Sequence, residues 1–193
     1  MRRICVFLGS SPGARPEYEA VARDFARSLS LHNLTLVYGG ASVGLMGILA
    51  DAVLEARGQV VGVIPEALVA KEVAHHGLSE LRVVPSMHQR KALMSDLSDA
   101  VVALPGGLGT LEEFFEMLTW AQLGIHAKPC GLLNPCGFFD HLLAFLDHAV
   151  SERFLRPEHR QLIIAEREPD KLLDALASHR ATPHPKWLDR PGN

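Results

Sequence analysis

The chain has 193 residues, 48% of them apolar and 21% charged, with a formal net charge of -3 at pH 7. The length suits one domain with a substantial core, and the balance is that of an ordinary globular protein. A net negative charge gives no electrostatic basis for binding nucleic acid or an anionic membrane, so any bound phosphate must be held by local donors.

Met1-Arg2-Arg3 precedes an apolar run, Ile4 to Leu8, that stops short of the roughly 7–15 apolar residues of a signal-peptide core. The run reads as a buried strand, ended by the turn residues Gly9-Ser-Ser-Pro-Gly13. Pro16 to Leu31 reads as a helix with Ala20, Phe25 and Leu29 among its apolar positions. Thr35 to Tyr38 is a second strand, stopped by Gly39 and Gly40. Gly44 to Arg57 is a helix closed by Gly58, and Gln59 to Ile64 is a β-branched strand. Pro65 to Leu81 is expected to be loop with a short helix.

Leu81 to Val84 is a strand, Ser86 to Ser98 a helix and Ala100 to Leu104 a strand. The loop Pro105-Gly-Gly-Leu-Gly109 leads into a helix from Thr110 to Leu123. Pro129 to Leu133 is a strand, Phe138 to Glu152 a helix, Leu162 to Ile164 a short strand and Pro169 to Ser178 a last helix. Residues 1–180 are expected to form one domain. Residues 181–193, with Pro183, Pro185 and Pro191, are expected to be an irregular tail.

Strands that are apolar throughout imply burial on both faces, which is the mark of a parallel sheet covered by helices. The expected fold class is therefore a three-layer α/β sandwich, doubly wound and Rossmann-like. No run approaches the ~18–20 apolar residues of a membrane span. Cys5, Cys130 and Cys136 are odd in number and lack CxxC spacing, which fits a reducing cytoplasm better than a disulfide framework.

In such folds ligands bind beyond the carboxyl ends of the strands. Three loops rich in Gly or Ser fall there: Gly9 to Gly13, Gly39 to Gly47 and Pro105 to Thr110. Glycines let backbone N–H groups approach an anion, and the helix dipole favours negative charge. The same glycines could simply make tight turns, although three loops at one sheet edge favour a ligand site.

Several nucleotide and catalytic motifs are missing. No Lys-Ser or Lys-Thr follows Gly44, so there is no P-loop. Glu112 stands where a dinucleotide fingerprint built on Gly107 and Gly109 needs its third glycine. No HExxH and no G-x-S-x-G elbow occurs, and His75-His76 is a poor metal geometry. No metal site is expected.

Two charged positions stand out. The helix from Ser86 opens with a capping-box pattern, Ser86-Met-His-Gln89, and its apolar stripe runs Met87, Leu93, Met94 and Leu97. Arg90 lies on that stripe. A guanidinium there needs a partner, either an acidic side chain or a bound phosphate or carboxylate. Lys91 lies further round the helix and by itself reads as solvated. Thr110 and Glu113 also have capping-box spacing. Glu113 could be a cap, or it could be a carboxylate at the mouth of the glycine loop.

Pro105-Gly-Gly-Leu-Gly-Thr-Leu-Glu-Glu113 resembles the PGGxGTxEE signature of the LONELY GUY family of cytokinin riboside 5′-monophosphate phosphoribohydrolases, many of them long labelled "lysine decarboxylase". Gly9-Ser-Ser-Pro-Gly-Ala14, Tyr38-Gly-Gly40 with Val43-Gly-Leu-Met-Gly47, Ser86-Met-His-Gln-Arg-Lys91 and Thr119-Trp-Ala-Gln-Leu-Gly-Ile-His126 with Lys128-Pro129 also resemble family segments, in order, from Ile4 to Glu152. Ala41 departs from the family pattern, standing where many members carry a third glycine.

The resemblance implies a catalytic pair on Arg90 and Glu113. It implies substrate contacts from Glu72, Lys91, Gly107, Leu108, Gly109, Thr110, Leu111, Glu112 and Thr119. It also implies a small-molecule nucleoside 5′-monophosphate as ligand, a homodimer, and no metal or organic cofactor. The reaction implied is hydrolysis of the N-glycosidic bond of N6-modified AMP, or of AMP itself, to free base and ribose 5-phosphate. A pyridoxal phosphate enzyme would need a Schiff-base lysine; Lys71, Lys91, Lys128, Lys171 and Lys186 lie in no recognisable cofactor setting. The alternative from another class is a non-catalytic nucleotide-binding protein on the same fold.

Overall fold

The computed structural model describes residues 1–69 and 74–180. Seven parallel strands form one sheet: β1 Arg3–Phe7, β2 Thr35–Tyr38, β3 Val60–Pro65, β4 Glu80–Val84, β5 Ala100–Ala103, β6 Cys130–Leu133 and β7 Ile163–Glu166. Their spatial order is β4-β3-β2-β1-β5-β6-β7. The helices are α1 Pro16–Leu31, α2 Gly44–Glu55, α3 Glu66–Val69, α4 Met87–Asp96, α5 Leu108–Gln122, α6 Asp140–Ser151, α7 Pro157–Arg160 and α8 Pro169–Ser178. The doubly wound α/β expectation holds.

The period-two alternation of a strand sorts β1 between two cores. Ile4, Val6 and Leu8 pack with Phe25 and Leu29 of α1, Leu49 of α2 and Leu172 of α8. Cys5 and Phe7 face the other way, against Met94 of α4, Phe114 and Met117 of α5 and Leu146 of α6. Both faces are therefore dry, which explains why the strands read as continuous apolar runs.

The order reverses at one place. From β1 the chain winds through β2, β3 and β4 on one side, and from β5 through β6 and β7 on the other. β1 and β5 are neighbours, with Ile4 opposite Ala100 and Phe7 opposite Ala103. The loops that leave their carboxyl ends diverge to opposite sides, and the crevice between them is where such sheets bind ligands. The Gly9 and Pro105 loops meet there, tied by a Gly9 N–H bond to the Pro105 carbonyl at 3.0 Å.

Several local expectations are corrected. Ala20 is exposed, whereas Phe25 and Leu29 are buried as expected, together with Ala22 and Ala26. The short helix α7 and a 3₁₀ turn at Pro135–Gly137 went unforeseen. The expected tail at 181–193 lies outside the described residues. Cys5, Cys130 and Cys136 are free; burial pushes the Cys5 thiol well up and the Cys130 thiol to about 12, so both behave as small core residues. Among the described residues no helix is long and apolar enough to cross a membrane.

Candidate active site

A cleft of about 290 Å³ opens at the carboxyl edge of the sheet. Its walls come from the Leu8–Ser10 end of β1, Met46 of α2, Leu68 of α3, Met87 and Arg90 of α4, and the start of α5. Gly107, Leu108, Gly109, Thr110, Glu112 and Glu113 all line it. A second compartment of about 280 Å³ adjoins it across Ser10 and Gly107, walled by Pro12, Tyr18, Leu45 and Phe138.

Arg90 is 6% exposed, and its position is set by the backbone. Nε donates to the Val63 carbonyl at 3.1 Å and Nη2 to the Gly39 carbonyl at 3.2 Å. Val63 lies within β3, and Gly39 directly follows its neighbour β2. The remaining nitrogen, Nη1, stands 3.6 Å from Glu113 Oε1 and 3.6 Å from Met87 Sδ. The arginine is therefore held in place, with its Nη1 edge turned towards a carboxylate that is itself 9% exposed. Gly39 makes room for this: a Cβ there would lie 2.0 Å from Arg90 Nη2.

Helix α5 begins at Leu108 with Gly107 as its N-cap, two residues earlier than the sequence pattern suggested. The capping-box reading of Thr110 and Glu113 is thereby overturned. No side chain caps the helix, Thr110 is its third residue, and Glu113 stands in its second turn. A Cβ on Gly106 would strike Thr110 Oγ1 at 2.1 Å, so the hydroxyl packs down over that glycine. A Cβ on Gly107 or Gly109 would meet nothing within 4 Å. The first turn of α5 thus presents backbone to open space with the positive end of its dipole.

Ser86 does cap α4, its Oγ accepting from the Gln89 N–H at 3.2 Å. Two expectations for that helix fail. Met87, expected in the core, is 42% exposed and forms part of the cleft wall. Lys91, expected in solvent, is buried, with Nζ 2.5 Å from Glu112 Oε1 and 2.9 Å from Glu116 Oε2. Burial pushes its pKa down, but the bonds and charges of the two carboxylates outweigh that and hold it above an ordinary lysine. Its partners come from α5, so the pair clamps the two helices that carry Arg90 and Glu113.

The remaining sites are scattered. Leu111 packs partly buried against the α4–α5–α6 core. Thr119 is exposed, donates to its own helix at Phe115 O over 2.7 Å, and lies roughly 16 Å along α5 from Leu108 at about 1.5 Å per residue. It is not among the residues that line the cleft. Glu72 lies outside the described residues. Sequence reasoning did not name Ser10, Met46 and Leu68 as site residues, although Ser10 and Met46 both lie in the glycine-rich loops it singled out; Leu68 carried no signal.

A family described as "Possible lysine decarboxylase" matches residues 46–176. A probable cytokinin riboside 5′-monophosphate phosphoribohydrolase of Oryza sativa subsp. japonica, LOGL9, is 51% identical over 92% of this chain and 78% of its own length. The cytokinin riboside 5′-monophosphate phosphoribohydrolase of Rhodococcoides fascians is 50% identical over 92% and 90%. LOG3 of Arabidopsis thaliana, carrying the same activity name, is 48% identical over 92% and 83%. Among solved structures, the molybdenum cofactor carrier protein of Chlamydomonas reinhardtii superposes with a TM-score of 0.70 at 19% identity, over 92% of this chain and 99% of that one. The molybdenum cofactor binding protein of Rippkaea orientalis gives 0.69 at 21%, over 92% and 97%. At such identities these two share the fold alone.

Proposed function

The chain belongs to the LONELY GUY family of cytokinin riboside 5′-monophosphate phosphoribohydrolases, and from that membership we propose that it hydrolyses the N-glycosidic bond of N6-modified AMP, or of AMP, to free base and ribose 5-phosphate. The observation that carries the reading is the Arg90–Glu113 pair, 3.6 Å apart beside the open first turn of α5.

In the reaction a water adds to the anomeric carbon. The electron pair of the bond to the base leaves with the base, which gains a proton overall, while the hydroxyl remains on the sugar. The transition state carries oxocarbenium character. Glu113, as a carboxylate, stabilises that cation and orients the water. Arg90 is permanently protonated and so a poor acid. Fixed by Val63 and Gly39, it holds the nucleotide and offsets the charge that builds on the departing base.

The 5′-phosphate rests on the backbone of Gly107 to Thr110, the end of α5 that favours an anion. Lys91, paired with Glu112 and Glu116, supports the site by fixing α4 against α5. No step needs a metal or organic cofactor.

A homodimer accounts for Thr119. Leu108, Leu123 and Ile125 are exposed at and beyond the two ends of α5, and a second copy seated on this helix would carry its own Thr119 to the neighbouring cleft. Free Cys5, Cys130 and Cys136 support a cytoplasmic location.

The test compares AMP and N6-isopentenyl-AMP with the corresponding nucleosides. We expect base release from both monophosphates and at least about a hundredfold less from the nucleosides, since the phosphate contacts are realised only in the former. Equal cleavage of nucleosides would contradict the phosphate cradle, and binding without release would sink the hydrolase reading.

A further inference from the structure

The cleft and the adjoining compartment offer two apolar walls for the part of the substrate that varies, the N6 substituent. One consists of Met46, Leu68 and Met87, and the other of Pro12, Tyr18, Leu45 and Phe138. Neighbouring residues of α2 divide between them, Met46 facing one and Leu45 the other. We propose that Leu68 and Met87, backed by Met46, form the surface that reads the N6 substituent, an inference that rests on the hydrolase reading above.

The direction of the nucleotide decides between the walls. With the phosphate on the first turn of α5, the anomeric carbon must face Glu113, and the base must leave the sugar on the side away from the phosphate. Glu113 and Arg90 line the same compartment as Met46, Leu68 and Met87, and Met87 Sδ lies 3.6 Å from Arg90 Nη1. Met46 Sδ stands 3.5 Å from where a Gly39 Cβ would be, a point that also lies 2.0 Å from Arg90 Nη2, so Met46 too is close to the guanidinium. The second compartment lies across Gly107 from the reacting pair and has no charged residue in its lining.

The composition of the favoured wall suits the task. Thioethers are unbranched and polarizable and adapt to substituents of different shape. Met87 is the first residue of α4 and is not buried in the core, although its place on the apolar stripe called for that. Exposure of a large apolar side chain in the wall of the cleft that holds Arg90 and Glu113 is accounted for if a ligand covers it.

The experiment measures kcat/KM for N6-isopentenyl-AMP and for AMP in the wild type and in Leu68→Ala, Met87→Ala and Phe138→Ala. Removing apolar contacts to the substituent is expected to lower the ratio of the two values by about tenfold in each of the first two variants. Met87→Leu should restore it, and Phe138→Ala should leave it unmoved. A purely structural effect on Arg90 would slow both substrates together and leave the ratio where it was.

An unchanged ratio in Leu68→Ala and Met87→Ala, or a fall confined to Phe138→Ala, overturns the proposal. If the wild type releases base from neither nucleotide, it is the hydrolase reading that fails. The same ratio is then taken from the dissociation constants of the two nucleotides, with the same expected shifts.

Discussion

Glu113→Gln is expected to lower the rate of base release from N6-isopentenyl-AMP by roughly 10²–10³-fold, the usual loss when one electrostatic stabiliser of a transition state is removed. The substitution keeps size and shape, removes the charge and exchanges one acceptor oxygen for an NH2 donor. It should not move Arg90, because that side chain is anchored on the Val63 and Gly39 carbonyls and does not depend on Glu113 for its position. Nucleotide affinity should therefore change much less than turnover. Single-turnover base release, set beside nucleotide binding measured calorimetrically, reads the two separately. A loss shared equally between binding and turnover would make Glu113 a ground-state contact and leave the cation without its stabiliser.

Gly39→Ala should cost about a hundredfold in kcat/KM without touching the substrate. The added Cβ would lie 2.0 Å from Arg90 Nη2 and 3.1 Å from its Cζ. The far end of an arginine can swing away, so the chain still folds, but the guanidinium then gives up its two carbonyl bonds. The stability cost is on the order of 1–3 kcal/mol for the lost charge-assisted bonds, comparable with the roughly 2.7 kcal/mol that a hundredfold loss in kcat/KM represents, so folding and turnover are measured separately. Combining Gly39→Ala with Arg90→Ala should add little to Arg90→Ala alone, since both remove the same positioned group. Additive losses in that double-mutant cycle would show that Gly39 acts by some route other than Arg90.

The doubly wound class and the seven strands were legible because burial on both faces favours short apolar runs rich in β-branched residues, as in Val60–Pro65. Arg90 was legible for a related reason: a charge on an apolar stripe has no bland explanation without a partner. The adjacency of β1 and β5 was invisible, because it joins segments about a hundred residues apart and no local pattern records it. Lys91 was misread because its partners, Glu112 and Glu116, stand on another helix. Met87 was misread because helical periodicity gives the face of a residue but not whether the end of the helix projects beyond the sheet into a cleft. The capping-box spacing at Thr110 misplaced the start of α5, since Gly107 begins the helix without any side-chain signal. Residue spacing thus singled out Arg90 and Glu113 as unusual positions, the family resemblance implied their catalytic roles, and tertiary contacts between α4 and α5 determine how they are held.

The measurement that bears most directly on the central claim is the product balance from N6-isopentenyl-AMP, followed to completion with the wild-type protein. The account predicts free N6-isopentenyladenine and ribose 5-phosphate in equal amounts, with neither the nucleoside nor inorganic phosphate formed. Appearance of the nucleoside with phosphate, or recovery of the nucleotide unchanged, would contradict it.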